Sequence, residues 1–148
     1  MSEQEVRAYI QNNSRLILVT NGLKGYPHAM PMNYIYTDDH RIVMTTFRKS
    51  QKVKNLQRDP RATLLVESGD NYQELKSVLF YADAEIISDS TQIREITELL
   101  IGKWVGANQN ELKTMKEQAF SAVSKKVLLS FTPDSSISWD HGKLDDRY

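Results

Sequence analysis

The sequence predicts a mainly β, α+β fold in which an antiparallel barrel carries peripheral helices. First, six short apolar segments are separated by turn residues, as in strands linked by hairpins. Second, the segments of helical periodicity are inserted between groups of strands and do not alternate with them, which disfavours a doubly wound parallel sheet. Third, 148 residues, of which 40% are hydrophobic, suit one domain with a sizeable core.

The six predicted strands differ in how clearly their ends are marked. The second and third are joined by turn residues 37–40 and are expected to form a hairpin. Pro31, in the second strand, has no amide hydrogen to donate, which predicts an edge strand, a bulge or an open site. The strands are residues 16–20, 28–36, 41–46, 62–67, 78–87 and 126–132, with 136–139 as an extension of the last across Pro133.

Helix starts are marked by capping residues. Ser2 with Glu5 three residues later is a capping-box pattern and predicts a short first helix. Ser50 is a good N-cap for a second short helix between the third and fourth strands. The main helix is expected to begin at Asp89, and residues 110–123 form a further helix with a thin apolar face.

The composition argues against several classes of function. Nineteen basic and nineteen acidic residues cancel, which disfavours binding to nucleic acid or to an anionic membrane. There is no cysteine, which suits the cytoplasm. No apolar run approaches the roughly 18 residues of a membrane span, and the polar N-terminus is unlike a signal peptide. The three histidines lack metal-ligand spacing. We therefore expect a cytoplasmic protein with no nucleic-acid, membrane or metal partner.

The strongest local charge asymmetry lies in residues 48–61, where six basic residues stand against one acidic residue. Thr45 and Thr46 end a strand there, and Ser50 opens a helix. A helix N-terminus presents unpaired N–H groups and a partial positive charge, so it attracts phosphate. Lys52 is a cation in the first turn, where its interaction with the helix dipole is unfavourable by roughly 0.3–1 kcal/mol. A bound anion would offset this cost. The pattern predicts a phosphate site, and the alternative is a solvated basic surface.

A set of short motifs carries a family resemblance across residues 16–67. These are a proline before the second strand, a threonine that ends the third, a serine-x-lysine, an asparagine-leucine and an aspartate-proline before the next strand. They stand at Pro27, Thr46, Ser50-Gln51-Lys52, Asn55-Leu56 and Asp59-Pro60-Arg61. In this combination the chain resembles the pyridoxamine 5′-phosphate oxidase-like split-barrel flavoproteins. The resemblance implies a six-stranded antiparallel split β-barrel and a single FMN-binding domain over residues 1–148.

The resemblance also implies a set of cofactor contacts. Thr46, Ser50 and Lys52 would hold the FMN phosphate, with Thr45 at its ribityl or phosphate end. Because members are usually homodimers with the flavin between subunits, Trp139 is expected to reach a partner's cofactor. The isoalloxazine ring would lie beside Met30, Pro31, Met32 and Asn33.

Two departures from the family pattern bear on function. Many members have an arginine where this chain has Gln51, and Arg48 or Lys49 is the expected replacement. The true oxidases end in a tryptophan and then an arginine-leucine-histidine-aspartate-arginine run that grips the substrate. Here Lys143 and Asp145 stand where arginine and histidine are needed, and Asp145 would repel a substrate phosphate. We therefore do not expect oxidation of a vitamin B6 phosphate.

The implied activity is that of an FMN-dependent oxidoreductase acting on an unidentified small molecule. No catalytic residue is predicted, although His28 and Tyr34 are the proton donors expected near the ring. Two alternatives remain open. One is a reductase that uses the deazaflavin F420, whose acidic tail would need basic residues such as Arg48, Lys49 and Lys54. The other is a non-enzymatic module that binds flavin or haem.

Overall fold

A computed structural model describes residues 1–104 and 108–144, and of Trp104 it describes the backbone only. The helices are α1 (Glu3–Asn12), α2 (Gln51–Arg58), α3 (Ser90–Trp104) and α4 (Gln109–Ser121). The strands are β1 (Arg15–Asn21), β2 (Pro27–Asn33), β3 (Ile35–Tyr36), β4 (Ile42–Phe47), β5 (Arg61–Ser68), β6 (Lys76–Ile87) and β7 (Lys126–Asp140).

All seven strands form one antiparallel sheet in the order β2-β1-β5-β6-β7-β4-β3. The two edge strands, β2 and β3, are consecutive in the chain and are separated by Tyr34 alone. The sheet must therefore curl until its edges meet at Tyr34, and away from this point the edges of β2 and β4 are not paired with each other. This is a split barrel, and the predicted fold class is confirmed.

The strand count is seven and not the predicted six, because the expected strand of residues 28–36 is divided at Tyr34. The N–H of Tyr34 donates to the Ser14 carbonyl at 3.1 Å and so leaves the strand ladder. Its side chain is fully buried, and its hydroxyl donates to the Ile10 carbonyl at 2.6 Å. Before this point the chain pairs with β1, and after it the chain pairs with β4. Only the β3–β4 part of the expected hairpin exists.

Side-chain alternation along the strands creates two apolar layers. The inner face of the barrel is filled by the larger cluster, to which every long strand, α1 and α2 contribute. A smaller cluster lies outside β4 and β7 beneath α3, and it contains Val43, Ile93, Val123 and Leu128. The helices α3 and α4 thus cover the outside of one half of the sheet.

The short helices α1 and α2 lie at opposite ends of β1. At its first end, the α1 residue Ile10 receives the Tyr34 hydrogen bond. At its other end, Asn55 of α2 donates to the Thr20 hydroxyl at 3.0 Å, and the Arg58 guanidinium donates to the Asn21 carbonyl. The predicted capping box at α1 is present, and β7 continues across Pro133 as the sequence suggested.

Candidate functional site

The N-terminus of α2 has a cap residue that does not cap. Ser50 occupies the N-cap position with extended backbone angles, φ −69° and ψ 155°, yet its side chain makes no cap hydrogen bond. Its Oγ is buried and has no hydrogen-bond partner in the described part of the chain. An N-cap serine ordinarily accepts from an N–H of the first turn. The first turn of α2 therefore lacks the usual side-chain cap.

Lys52 places a positive charge in the same first turn. Its side chain is only 9% exposed, and its Nζ donates to the Oγ1 of buried Thr46 at 3.1 Å. It has no salt bridge with a carboxylate of residues 1–104 or 108–144. Burial lowers the pKa of Lys52, because the charged form loses its hydration. A buried ammonium without an anion is costly, and a phosphate would supply the missing charge.

A hydrogen-bonded network behind these groups fixes α2 on β1. Asn55 is fully buried, and its amide donates to the hydroxyl of Thr20 on β1. Its side-chain oxygen accepts from the Gln51 amide at 2.8 Å and from Arg58 at 3.3 Å. Gln51 therefore lies along the helix and braces Asn55. The sequence contains the four-residue spacing of Gln51 and Asn55, but this pair was not predicted.

Three of the other basic residues of this segment have partners within the chain. The Arg48 guanidinium donates to the Ser124 carbonyl at 3.2 Å, and Arg58 donates to a backbone carbonyl on β1. Arg61 forms a salt bridge with Asp59 at 2.8 Å. Arg48 is therefore directed towards Ser124. Of the two residues expected to replace the arginine that many members of the resembling family have in place of Gln51, Lys49 remains.

The residues predicted to flank the flavin ring lie on both faces of β2. Met30 and Met32 pair with Leu18 and Leu16 of β1, which point into the barrel. Pro31 and Asn33 have the opposite parity and lie on the outer face. Pro31 is on the sheet edge, as its missing amide hydrogen predicted.

Thr45 and Trp139 lie apart from the cluster at Lys52. Thr45 alternates with Thr46 and shares a face with Val43, on the side of β4 that α3 covers. Trp139 is opposite Ser77 in β7 and is 39% exposed on the outer face. The structure thus brings together Thr46, Ser50 and Lys52 out of the nine predicted cofactor contacts.

The two expected proton donors have different environments. Tyr34 is fully buried with its hydroxyl bonded to the Ile10 carbonyl, and burial raises the pKa of its phenol. It is a structural residue of the barrel end. His28 lies opposite Thr20 at the start of β2, and its Nδ1 is buried without a partner in the described part of the chain. Of the two, only His28 has a side-chain polar atom without a hydrogen-bond partner among the described residues.

The C-terminal segment contacts α1. Lys143 forms an ion pair with Glu5 at 2.5 Å, at the first turn of α1. Asp145, expected to repel a substrate phosphate, lies outside the described residues. The absence of vitamin B6 phosphate oxidation stays a prediction.

Two structural searches concern other kinds of site. Within residues 1–104 and 108–144, no group of three or more His, Asp or Glu side chains is arranged to hold a metal ion. No helix in that part of the chain is long and apolar enough to cross a membrane.

Comparison with known proteins places these features in a family. The family model described as pyridoxamine 5′-phosphate oxidase matches residues 2–139. The chain belongs to this family. A solved structure of Rv2991, a conserved hypothetical protein from Mycobacterium tuberculosis, is 33% identical with a TM-score of 0.82, and the alignment covers 95% of this chain and 86% of that one. No curated protein matches the sequence.

Two more distant structures share the fold alone. A FAD-binding protein from Mesorhizobium loti has a TM-score of 0.67 at 16% identity, covering 93% of both chains. A structure named F420 reductase has a TM-score of 0.62 at 17% identity, covering 88% of this chain and 94% of that one. Both similarities concern the fold, which this chain shares with the two proteins.

Proposed function

We propose that this protein is an FMN-dependent oxidoreductase that holds the cofactor's phosphate at Thr46, Ser50 and Lys52 and acts on a small molecule. The observation that carries the proposal is the buried Ser50 hydroxyl, which has no hydrogen-bond partner among the described residues, two positions before the buried Lys52. Ser50 is the N-cap of α2 and Lys52 lies in its first turn, where N–H groups and the helix dipole favour an anion. Family membership then favours a flavin phosphate as that anion.

Each residue has a defined part in this proposal. The Thr46 and Ser50 hydroxyls donate hydrogen bonds to phosphate oxygens, and Lys52 supplies the charge. The Gln51–Asn55 pair holds α2 against β1, so that the first turn keeps its position. FMN, once bound, supplies hydride transfer, and the protein supplies position and electrostatics. The ring would lie along β2, beside Met30, Pro31, Met32 and Asn33, with Thr45 towards the ribityl chain.

The decisive test compares FMN with riboflavin, which lacks only the phosphate. The purified apoprotein is titrated with each flavin, and quenching of flavin fluorescence reports binding. We expect FMN to bind about 10- to 150-fold more tightly, because hydrogen bonds to charged groups contribute about 1.5–3 kcal/mol. Equal affinities for the two flavins, or no uptake of either, would refute the proposal.

The second candidate is a reductase that uses F420 in the same site. Lys49 and Lys54 are exposed, and their side chains make no hydrogen bond or salt bridge within the described residues. They remain available to the acidic tail of this cofactor, and the similarity to an F420 reductase supports this option. Titration of the apoprotein with both cofactors separates the two, since a preference for F420 that is lost in Lys49→Gln/Lys54→Gln would replace FMN in the proposal.

Turnover separates an enzyme from a non-enzymatic binding module. The flavin-loaded protein is mixed with NADH or NADPH in a stopped-flow instrument, and the flavin absorbance is followed. Reduction followed by reoxidation with a small-molecule acceptor is the expected result. Tight FMN binding without reduction by either donor would identify a storage or sensor module.

We place the protein in the cytoplasm, since its lack of cysteine suits a reducing compartment.

We also propose that the protein is a homodimer with the flavin at the subunit interface. An apolar row crosses five strands of the outer sheet face through successive cross-strand pairs. Its ends, Pro31 and Ile137, are exposed and its middle is half-buried, and contiguous apolar surface of this kind is typical of interaction sites. Trp139 shares this face, so dimerisation here would carry it to the partner subunit. The row consists of Pro31, Ile17, Leu65, Leu79 and Ile137.

Sedimentation velocity tests the dimer. Ile137 is 52% exposed within the row, and we expect Ile137→Asp to yield monomers. Leu99→Asp is the matched control, because Leu99 is 53% exposed on α3 and lies outside the row. A wild-type protein that sediments as a monomer, or a dimer unaffected by Ile137→Asp, would exclude this interface.

A further inference from the structure

The first turn of α2 is hydrogen-bonded to two strands of the barrel. On β4, the Thr46 hydroxyl accepts from the Lys52 ammonium at 3.1 Å. On β1, the Thr20 hydroxyl accepts from the Asn55 amide at 3.0 Å, and the Asn55 side-chain oxygen accepts from the Gln51 amide at 2.8 Å. Gln51 is the first residue of α2, so these last two bonds lead from a strand to the first turn. We call Thr20, Asn55 and Gln51 the relay.

The relay does not share its polar groups with the proposed phosphate contacts. Thr46 and Lys52 belong to those contacts, so a bound anion competes for the hydrogen bond between them. Thr20 and Asn55 are buried and bonded to each other. Helix α2 has only eight residues and no side-chain cap at Ser50, and a helix this short is not stable on its own. The position of its first turn therefore depends on the relay when an anion is bound.

A second contact to β1 lies at the opposite end of α2. There the Arg58 guanidinium donates to the Asn21 carbonyl in an exposed hydrogen bond. Water competes with an exposed bond of this kind and does not compete with the buried bond between Asn55 and Thr20. The bond from Arg58 also acts on the last turn of the helix, which is remote from the proposed phosphate contacts. The relay is thus the contact that fixes the first turn to β1.

We propose that Thr20 is a positioning residue of the phosphate site. Through Asn55 and Gln51, its hydroxyl fixes the direction of the first-turn N–H groups of α2. Donors that are already in position bind an anion without the cost of ordering them. The relay therefore sets the affinity for the phosphate and not for the rest of the flavin. This inference rests on the proposed function, because it concerns the same phosphate site.

The test uses two variants that break the relay at its two ends. Thr20→Val removes the acceptor with little change of shape, and Gln51→Met removes the donor at an exposed position. The apoproteins are titrated with FMN and with riboflavin, and quenching of flavin fluorescence reports binding. We expect FMN affinity to fall about three- to tenfold in both, since a hydrogen bond of the relay is lost, and riboflavin affinity to change less than about twofold. Thr20→Ser, which keeps the hydroxyl, should retain the FMN affinity of the wild type.

Hydrogen exchange in the apoprotein reports on the first turn without any cofactor. The Lys54 N–H donates to the Ser50 carbonyl at 3.2 Å and so closes this turn. We expect its exchange to become about three- to tenfold faster in Thr20→Val and Gln51→Met. The amides of β5 and β6 should keep their protection, which shows that each variant is folded. If Thr20→Val does not fold, Gln51→Met decides the question, because its side chain is replaced on the surface.

Each variant has a matched control outside the relay. Ser77→Ala removes another buried hydroxyl of the barrel, one that donates to the Val66 carbonyl at 2.9 Å. Gln57→Met makes the glutamine-to-methionine change at an exposed position of the same helix. Neither control is expected to change the ratio of FMN to riboflavin affinity or the exchange of the Lys54 amide.

Three results would overturn the inference. These are an unchanged FMN affinity in both relay variants, an equal loss of affinity for FMN and riboflavin, or an unchanged exchange of the Lys54 amide. A wild-type protein that does not prefer FMN to riboflavin would refute the phosphate site itself and this inference with it. The two failures are distinguishable, since the inference alone fails when the wild type prefers FMN and both Thr20→Val and Gln51→Met keep that preference.

Discussion

The helices α1 and α2 begin with serines in nearly the same backbone conformation, yet the two hydroxyls behave differently. Ser2 has φ −68° and ψ 166°, and its Oγ accepts from the N–H of Glu5 in a complete capping box. Ser50 has φ −69° and ψ 155°, and its Oγ makes no cap hydrogen bond. Backbone geometry does not explain the difference. The Ser2 hydroxyl caps its own helix, whereas the Ser50 hydroxyl has no hydrogen-bond partner among the described residues.

The same contrast extends to the two ends of the barrel. At the α1 end, the Tyr34 hydroxyl donates to the Ile10 carbonyl, and the Tyr9 hydroxyl donates to the Lys76 carbonyl. At the α2 end lie both of the buried side-chain atoms that lack a partner in the described residues, on Ser50 and His28. Unpaired buried polar atoms cost free energy and are rare in folded proteins. The polar groups of the α1 end are thus paired within the chain, whereas the α2 end is the one to which we assign binding.

The largest expected effect at the binding end comes from Lys52→Met. We expect FMN affinity to fall about 10- to 150-fold, because a charge-assisted contact of about 1.5–3 kcal/mol is lost. We expect the apoprotein to gain about 0.5–2 kcal/mol, as is common when a group kept for function is replaced. Fluorescence titration and urea unfolding measure the two quantities.

The sign of the stability change follows from the pKa of Lys52, which burial lowers. The charged form is disfavoured in the folded state, so the cost is fully present below the folded-state pKa and disappears as the pH rises to the ordinary lysine value. At pH 7 the variant should therefore be the more stable protein. Lys113→Met, on the exposed face of α4, is the control. A variant that loses stability while keeping its FMN affinity would make Lys52 a structural residue.

The next effect tests the structural end of the barrel with Tyr34→Phe. Loss of the hydroxyl leaves the Ile10 carbonyl with a single, longer contact from Asn13 at 3.4 Å. We expect a loss of about 1–2 kcal/mol in the free energy of unfolding and no change in FMN affinity. Tyr72→Phe, at an exposed tyrosine, should change neither. A fall in FMN affinity would show that the two ends of the barrel are coupled.

The fold was predictable because its signals are local. The capping box of Ser2 and Glu5 and the apolar alternation of the strands each depend on residues close in the chain. The division of residues 28–36 into two strands was not predictable. It depends on Tyr34 bonding to Ser14 and Ile10, which are remote in sequence, and the strand pattern is continuous through that point.

The site was predictable in part for the same reason. Thr46, Ser50 and Lys52 lie within seven residues of one another, so a strand end and a helix start suffice to bring them together. The hydrogen bond from Arg48 to the Ser124 carbonyl could not be predicted from the sequence, since it depends on the packing of two segments that are distant in the chain. The sequence also could not predict that the His28 Nδ1 lacks a hydrogen-bond partner, because this depends on how the whole chain folds around it.

The two serines themselves give the sharpest test, with a smaller effect. We expect Ser2→Ala to lower the free energy of unfolding by about 1 kcal/mol, the usual value of an N-cap, and to leave FMN affinity unchanged. We expect Ser50→Ala to weaken FMN about fivefold, equivalent to about 1 kcal/mol, and to leave the stability of the apoprotein nearly unchanged. The same pair of measurements on both variants makes each the control of the other. If Ser50→Ala costs as much stability as Ser2→Ala, the hydroxyl caps its helix after all.

The smallest effect is a pH dependence at α1. The hydrogen bond from Lys143, followed by that from the Ser2 backbone, lowers the pKa of Glu5 from its ordinary value of 4.5 to about 2. A carboxyl with a lowered folded-state pKa contributes stability that is fully present above 4.5 and is lost as the pH falls towards 2. We therefore expect Glu5→Gln to lower the melting temperature slightly at pH 7, and the difference from the wild type to shrink between those two pH values. Glu117→Gln, on the exposed face of α4, should show no such convergence. If the melting temperatures of Glu5→Gln and the wild type differ by the same amount across this range, the ion pair between Lys143 and Glu5 at 2.5 Å contributes nothing to stability. Any loss of stability in Glu5→Gln would then arise from the capping box alone.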